Sequence, residues 1–179
     1  MNEFERTGSE VKWEGKIISA GIEQFRYGDG AEVSREKVWH PGAVGILAVD
    51  DEHVWLTRQP REAIGDPASL EVPAGKLDVE DEPPLQTAQR ELVEEIGKEA
   101  GQWREIACFF TSPGFSDERV QLYLAQDLRD VENHEPIAEE RIEIVAWPLA
   151  QLAQAIAQCE DSKSLIALLW LAWQRGLPA

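Results

Sequence analysis

The sequence predicts an α/β domain built on a mixed β-sheet, with an antiparallel strand extension ahead of it. Three observations carry this expectation. Short strand-like runs both precede and follow one amphipathic helix near the middle of the chain. Two further helical stretches close the chain. Strands and helices do not alternate in the regular βαβ rhythm of a purely parallel sheet.

Residues 1–10 are polar, without period, and read as frayed. From Val11 to His40 the chain alternates, and Gly28-Asp29-Gly30 marks a hairpin between two strands. Residues 43–49 (AVGILAV) are uniformly apolar and read as a buried strand. Asp50-Asp51-Glu52 turns that strand back into residues 54–57. Residues 59–69 read as a loop, and 70–72 as a short strand ending at Pro73-Ala74-Gly75. Residues 84–96 form the best helix, because Leu85, Ala88, Leu92 and Ile96 recur at spacings of three and four. Pro83 and Pro84 suit its first turn and Gly97 its C-terminal cap. Strands are expected near 103–110, 119–125 and 142–147. One helix should then run from Pro148 to about Gln158, and a last one from Ser162 or Ser164 to Arg175. The division expected is a strand extension over 1–40 and a main domain over 41–179.

The 179 residues carry 34 acidic against 17 basic side chains, a formal net charge of -17. Such a surface repels nucleic acid and anionic membranes, which demand clustered Lys and Arg. A small phosphorylated substrate needs local cations, either a few arginines or bound metal. Cys108 sits in an apolar run and reads as core; with no Cys/His cluster, a zinc site is not expected. The N-terminus lacks signal-peptide character, and the longest apolar stretch, 165–173, is short of a membrane span. A reducing cytoplasm is the expected location.

The chemistry lies between Gly75 and Gly97. Glu82, Arg90, Glu91, Glu94 and Glu95 crowd the helix and its approach. Glu91 and Glu95 are four apart and share a face, about 6 Å from each other, where like charges repel. A hard divalent cation offsets that repulsion, since carboxylate oxygens are the ligands Mg²⁺ prefers. Arg90 and Glu94, also four apart, can pair.

This segment resembles the Nudix box, G-x5-E-x7-R-E-U-x-E-E-x-G-U with U apolar. It departs twice: six residues, not five, separate Gly75 from Glu82, and the final apolar position is Lys98. The resemblance implies the Nudix fold, a mixed sheet sandwiched between helices (α/β/α). It also implies roles. Glu91 and Glu95 would be metal ligands. Glu94, Glu82 and the Ala74 carbonyl would stand at the same site, and Arg90 would orient the glutamates. The cofactor implied is Mg²⁺, with Mn²⁺ a substitute.

Flanking segments resemble the ADP-ribose pyrophosphatase subgroup, and the likeness covers about residues 13–173. They are Glu71-Val72-Pro73-Ala74-Gly75, Ser112-Pro113-Gly114-Phe115-Ser116-Asp117-Glu118, Gln59-Pro60-Arg61-Glu62 (where the subgroup has tyrosine in place of Pro60) and Arg35-Glu36. They imply hydrolysis of ADP-ribose to AMP and ribose 5-phosphate. Arg35, Glu36, Arg61, Glu71, Gly114 and Glu118 would bind substrate, and Glu140, with Glu139 its rival, would be the general base. Members of this kind are usually homodimers joined by their N-terminal strands. Alternatives are another nucleotide sugar such as GDP-mannose, a dinucleoside polyphosphate, or a nucleotide-sensing module without catalysis.

Overall fold

The computed structural model describes residues 3–132, 134 and 141–177. They form two compact units. The first is the chain up to Gly42 together with Phe109–Arg119; the second is Ala43–Cys108 with Val120 onward.

In the first unit, β1 (Phe4–Glu14), β2 (Ser19–Tyr27) and β3 (Glu32–Trp39) form an antiparallel sheet in that order. The expected hairpin turn joins β2 to β3, with the Tyr27 N–H donating to the Ala31 carbonyl at 2.9 Å and Gly30 at φ 86°. Residues 4–10 are not frayed: they are the first part of β1. The sequence hides this strand because nearly all its side chains are exposed, so no burial pattern marks it. Its partners come from β2 instead. Phe4 meets the Phe25 ring edge-on at 5.5 Å, and Arg6 pairs with buried Glu23 at 2.9 Å. The 111–118 segment docks on β3, where the Val38 N–H donates to the Phe115 carbonyl at 2.8 Å.

In the second unit the elements are β4 (Ala43–Val49), β5 (His53–Arg61), β6 (Asp66–Glu71), β7 (Ala74–Lys76), α1 (Pro84–Ile96), β8 (Lys98–Phe110), β9 (Arg119–Asp130), β10 (Glu143–Pro148), α2 (Leu152–Gln158) and α3 (Ser162–Gln174). The sheet runs β10-β5-β4-β9-β8, with β6 on β5 and β7 on β4. It is mixed, as expected: β4 lies parallel to β9 and antiparallel to β5 and β7.

All seven residues of β4 are buried, because helices cover both faces of the strand. Val44, Ile46 and Ala48 pack with Ala88, Leu92 and Ile96 of α1. On the other face, Gly45 lies against Leu122 and the Lys163 stem of α3. α1 begins at Pro84 and ends at Gly97 in the left-handed conformation (φ 65°), matching its caps in the sequence.

Two expectations for this unit are corrected. Residues 59–69 are not a loop: β5 continues to Arg61, a 3-10 turn covers Glu62–Ile64, and β6 starts at Asp66. Pro60 disguised the strand, yet it sits at a register shift of the β5–β6 pair, where a missing N–H is tolerated. Cys108 is exposed rather than core, since the apolar run around it lies on β8, at the end of the sheet. The extra residue before Glu82 is absorbed in a turn closed by the Glu82 N–H on the Val79 carbonyl, with Asp81 at φ 61°. No helix among the described residues is long and apolar enough to cross a membrane.

Candidate active site

The register of α1 gathers the motif around one guanidinium. Arg90 Nη1 donates to Glu91 Oε1 at 2.9 Å and to Glu94 Oε2 at 2.8 Å. Its Nε and Nη2 donate to Glu82 at 3.3 and 3.2 Å. The Thr87 hydroxyl, one turn into the helix, donates to Glu82 at 2.7 Å. Arg90 and Thr87 together hold the Glu82 carboxyl below the usual carboxylate range. The Glu82 bond, outweighing partial burial, raises the Arg90 pKa above its ordinary value, so Arg90 stays charged.

Glu95 is buried and accepts the Ala74 N–H at 3.0 Å. Glu91 lies against Gly75, where a Cβ would fall 2.2 Å from its carboxyl carbon. The start of β7 at Ala74-Gly75 and two helical turns of α1 thus hold both glutamates to one stretch of backbone. Glycine is required at 75 for this close approach.

The donor set for a metal is all oxygen, the chemistry of a hard divalent cation. Four glutamates against one arginine leave three formal negative charges here. Among the described residues no three His, Cys, Asp or Glu side chains converge in ligand geometry, and Arg90 is the cation that touches Glu82, Glu91 and Glu94. Both expected general bases, Glu139 and Glu140, lie outside the described residues.

Beside this cluster is an ion network around Glu71, which is 1% exposed. Arg61 grips it with two bonds of 2.6 Å, and Lys163 Nζ reaches it at 2.7 Å. Burial opposes ionisation of Glu71, but the Arg61 fork and the Lys163 ammonium outweigh it and hold the carboxyl at about 2. Arg61 is 43% exposed at its side chain.

In the first unit, Arg35, Glu36 and Gly114 line a cleft of about 400 Å³ with Phe25, Tyr27 and Phe115. Glu118 accepts the Thr111 hydroxyl at 2.6 Å and faces His40 Nε2 at 3.8 Å. Asp117 is partly buried, but the His40 N–H and the Lys37 ammonium prevail and lower its pKa.

Residues 39–169 match the NUDIX domain model. The chain belongs to the Nudix hydrolase family. It is 40% identical to an ADP-ribose pyrophosphatase of Mycobacterium tuberculosis over 92% of this chain and 80% of that protein. It is 36% identical to an ADP-ribose pyrophosphatase of Bacillus subtilis over 92% of this chain and 90% of that one. A solved structure of an ADP compounds hydrolase superposes with a TM-score of 0.80 at 21% identity, covering 97% of this chain and 95% of its own; at that identity it speaks for the fold.

In this Nudix chain, sequence reading missed several supports of the site. Thr87 stands on the inner side of α1 and has no motif position to announce it. Lys163 and Ser164 come from the first turn of α3, some ninety positions from Glu71 and Val72, and Asp161, the N-cap, holds both Lys163 and Ser164. His134 sets Nε2 3.0 Å from the Glu94 carbonyl, at the C-terminal end of α1. Only the N-cap pattern Asp161-x-x-Ser164 was there to find, and it marks a helix start rather than a site.

Proposed function

We propose that the chain hydrolyses the pyrophosphate bond of ADP-ribose, releasing AMP and ribose 5-phosphate, with Mg²⁺ as cofactor and Mn²⁺ as a substitute. The observation that carries this is the cluster of Glu82 with Glu91, Glu94 and Glu95 of α1, Glu91 and Glu95 held against Ala74–Gly75, with three negative charges more than Arg90 balances. The names of the two relatives support ADP-ribose as substrate.

Glu91 and Glu95 would hold the metal, with Glu94, Glu82 and the Ala74 carbonyl at the same site. Mg²⁺ held there would supply neutralisation of phosphate charge and a more acidic water. Arg90 keeps the glutamates in place through the bonds described above. Glu140, or Glu139 in its stead, takes the proton of the attacking water. A new P–O bond forms at one phosphorus, the bridging P–O bond breaks, and the other phosphate leaves with its electron pair. Arg61 contacts the anionic groups of the substrate, and Glu71 serves it through Arg61. Arg35, Glu36, Gly114 and Glu118 of the first unit are proposed as further substrate-binding residues, the first three lining the cleft with Phe25, Tyr27 and Phe115.

The working form is proposed to be a cytoplasmic homodimer. β1 is an eleven-residue end strand with Phe4, Val11 and Trp13 all more than half exposed, the kind of edge that pairs with a second chain. Light scattering on an eluting peak tests this against the 20.1 kDa chain mass.

Incubation with ADP-ribose and MgCl₂, with an EDTA control, tests the activity. AMP and ribose 5-phosphate appearing only with metal is the expected result. An inert protein, or one that cuts only GDP-mannose or a dinucleoside polyphosphate, refutes the substrate assignment.

A further inference from the structure

We infer that Lys163, in the first turn of α3, is a positioning residue for the active site and acts through Glu71 on Arg61. The inference rests on the reading above that Arg61 meets the anionic substrate.

Lys163 stands where a helix does not favour it. The N-terminal turn of a helix carries partial positive charge, so a cation there is unfavourable. Its side chain is also only 13% exposed, which costs an ammonium much of its hydration. Two carboxylates offset both costs: Glu71 at 2.7 Å and Asp161, the N-cap of α3, at 3.0 Å. Buried ion networks of this kind are weak contributors to stability, compared with well-packed apolar side chains. They fix geometry instead.

The geometry fixed here belongs to the site. Arg61 spends Nε and Nη2 on the two oxygens of Glu71, so the plane of its guanidinium follows the Glu71 carboxylate. Lys163 binds the same Oε2 that Arg61 Nη2 binds, which sets the rotation of that carboxylate. The same turn of α3 also holds the next residue: Ser164 Oγ accepts the Val72 N–H at 2.8 Å and donates to Asp161. Two residues further on, Ala74 donates to Glu95. Arg61 and Glu95 feel each other's charge across this short path. The first turn of α3 is thus tied both to the cation proposed to meet substrate and to the backbone that seats a box glutamate.

A double-mutant cycle on the full chain tests this: Lys163→Met, Arg61→Ala and the pair, assayed on ADP-ribose with Mg²⁺ and melted in parallel. R61A should lower kcat/KM, chiefly through KM. K163M should lower it in the same sense, by roughly tenfold, and add nothing in the R61A background, since coupled residues are non-additive. Effects that multiply, or a K163M enzyme with wild-type KM and kcat and only a lower melting temperature, would overturn the inference. K163Q takes the place of K163M if the latter does not fold. A wild-type protein inert on ADP-ribose would instead strike the proposed function, and this inference with it.

Discussion

Gly75→Ala separates the fold from the chemistry more cleanly than any glutamate replacement. A Cβ at position 75 would lie 2.2 Å from both Cδ and Oε1 of Glu91, against an ordinary contact that begins near 3.4 Å. The carboxylate must therefore retreat by about 1 Å. Its bond to Arg90 Nη1, now 2.9 Å, is made by the same Oε1 and would lengthen with it. The nearest atoms all belong to the Glu91 side chain, from Cγ (2.3 Å) to the carboxylate, so a change of Glu91 rotamer can relieve the clash. The alanine also removes freedom from the unfolded chain, a gain of about 0.4–1 kcal/mol where the backbone allows it. Stability should then stay within about 1 kcal/mol of wild type. Turnover should not, because a reacting group displaced by about 1 Å costs on the order of a hundredfold. The assay is kcat on ADP-ribose with a thermal melt of the same sample. A G75A protein that melts normally and turns over at the wild-type rate refutes the role given to Glu91. One that fails to fold refutes the claim that the clash is soft.

Three further outcomes are expected. Glu95→Gln keeps an oxygen for the Ala74 N–H but loses a charge, so it should abolish turnover and leave the circular dichroism spectrum unchanged; an active E95Q protein removes Glu95 from the metal site. Glu71 ionises at about 2 when folded, against an ordinary 4.5 when unfolded. Below pH 4.5 the unfolded chain therefore binds a proton that the folded chain refuses, and stability on the order of 3 kcal/mol, complete above that pH, drains away as pH falls toward 2. Denaturant titrations across that window should show the slope, and Glu71→Gln should flatten it; an unchanged slope refutes the burial of an ionised Glu71. Lys98→Met should cost about 1 kcal/mol by melting and nothing in activity, since it removes an ammonium 3.7 Å from the Trp55 ring centroid. A K98M protein that melts higher than wild type refutes a net gain from that contact.

What was legible in the sequence was whatever a local rule encodes. α1 could be read from end to end because Pro84, the apolar stripe and Gly97 each act within one or two turns. β4 could be read because burial on both faces leaves seven apolar residues in a row. The box glutamates could be read because one helix carries three of them at fixed offsets. β1 escaped because almost nothing on it is buried, and β6 because Pro60 and Gly65 punctuate a hairpin as they would a loop. The partners of Lys98 escaped for a different reason. At an apolar position of the motif Lys98 stands over Trp55 of β5, with Asp130 of β9 at 2.6 Å. The sheet brings those two partners together, and neither is near Lys98 in the chain. The Glu71–Lys163 pair spans 92 positions and shares this character: periodicity and motif spacing contain no information about it.

Charge is the physical reason the proposed site calls for a cation beside its substrate. Each cation of the second unit described above is already committed. Arg90 answers three glutamates, Lys163 answers Glu71 and Asp161, and Arg61 holds both oxygens of that same Glu71. Of these three, Arg61 is 43% exposed at its side chain and is the one proposed to meet a diphosphate, whose own charge would add to the surplus around α1. In a chain at -17 the wider surface cannot help. The divalent metal proposed here would reverse the sign at the site, and its affinity should depend on the same arginine: an uncharged residue at Arg90 would remove its bonds to Glu91 and Glu94 while loosening Glu82, trading order in the ligands for charge.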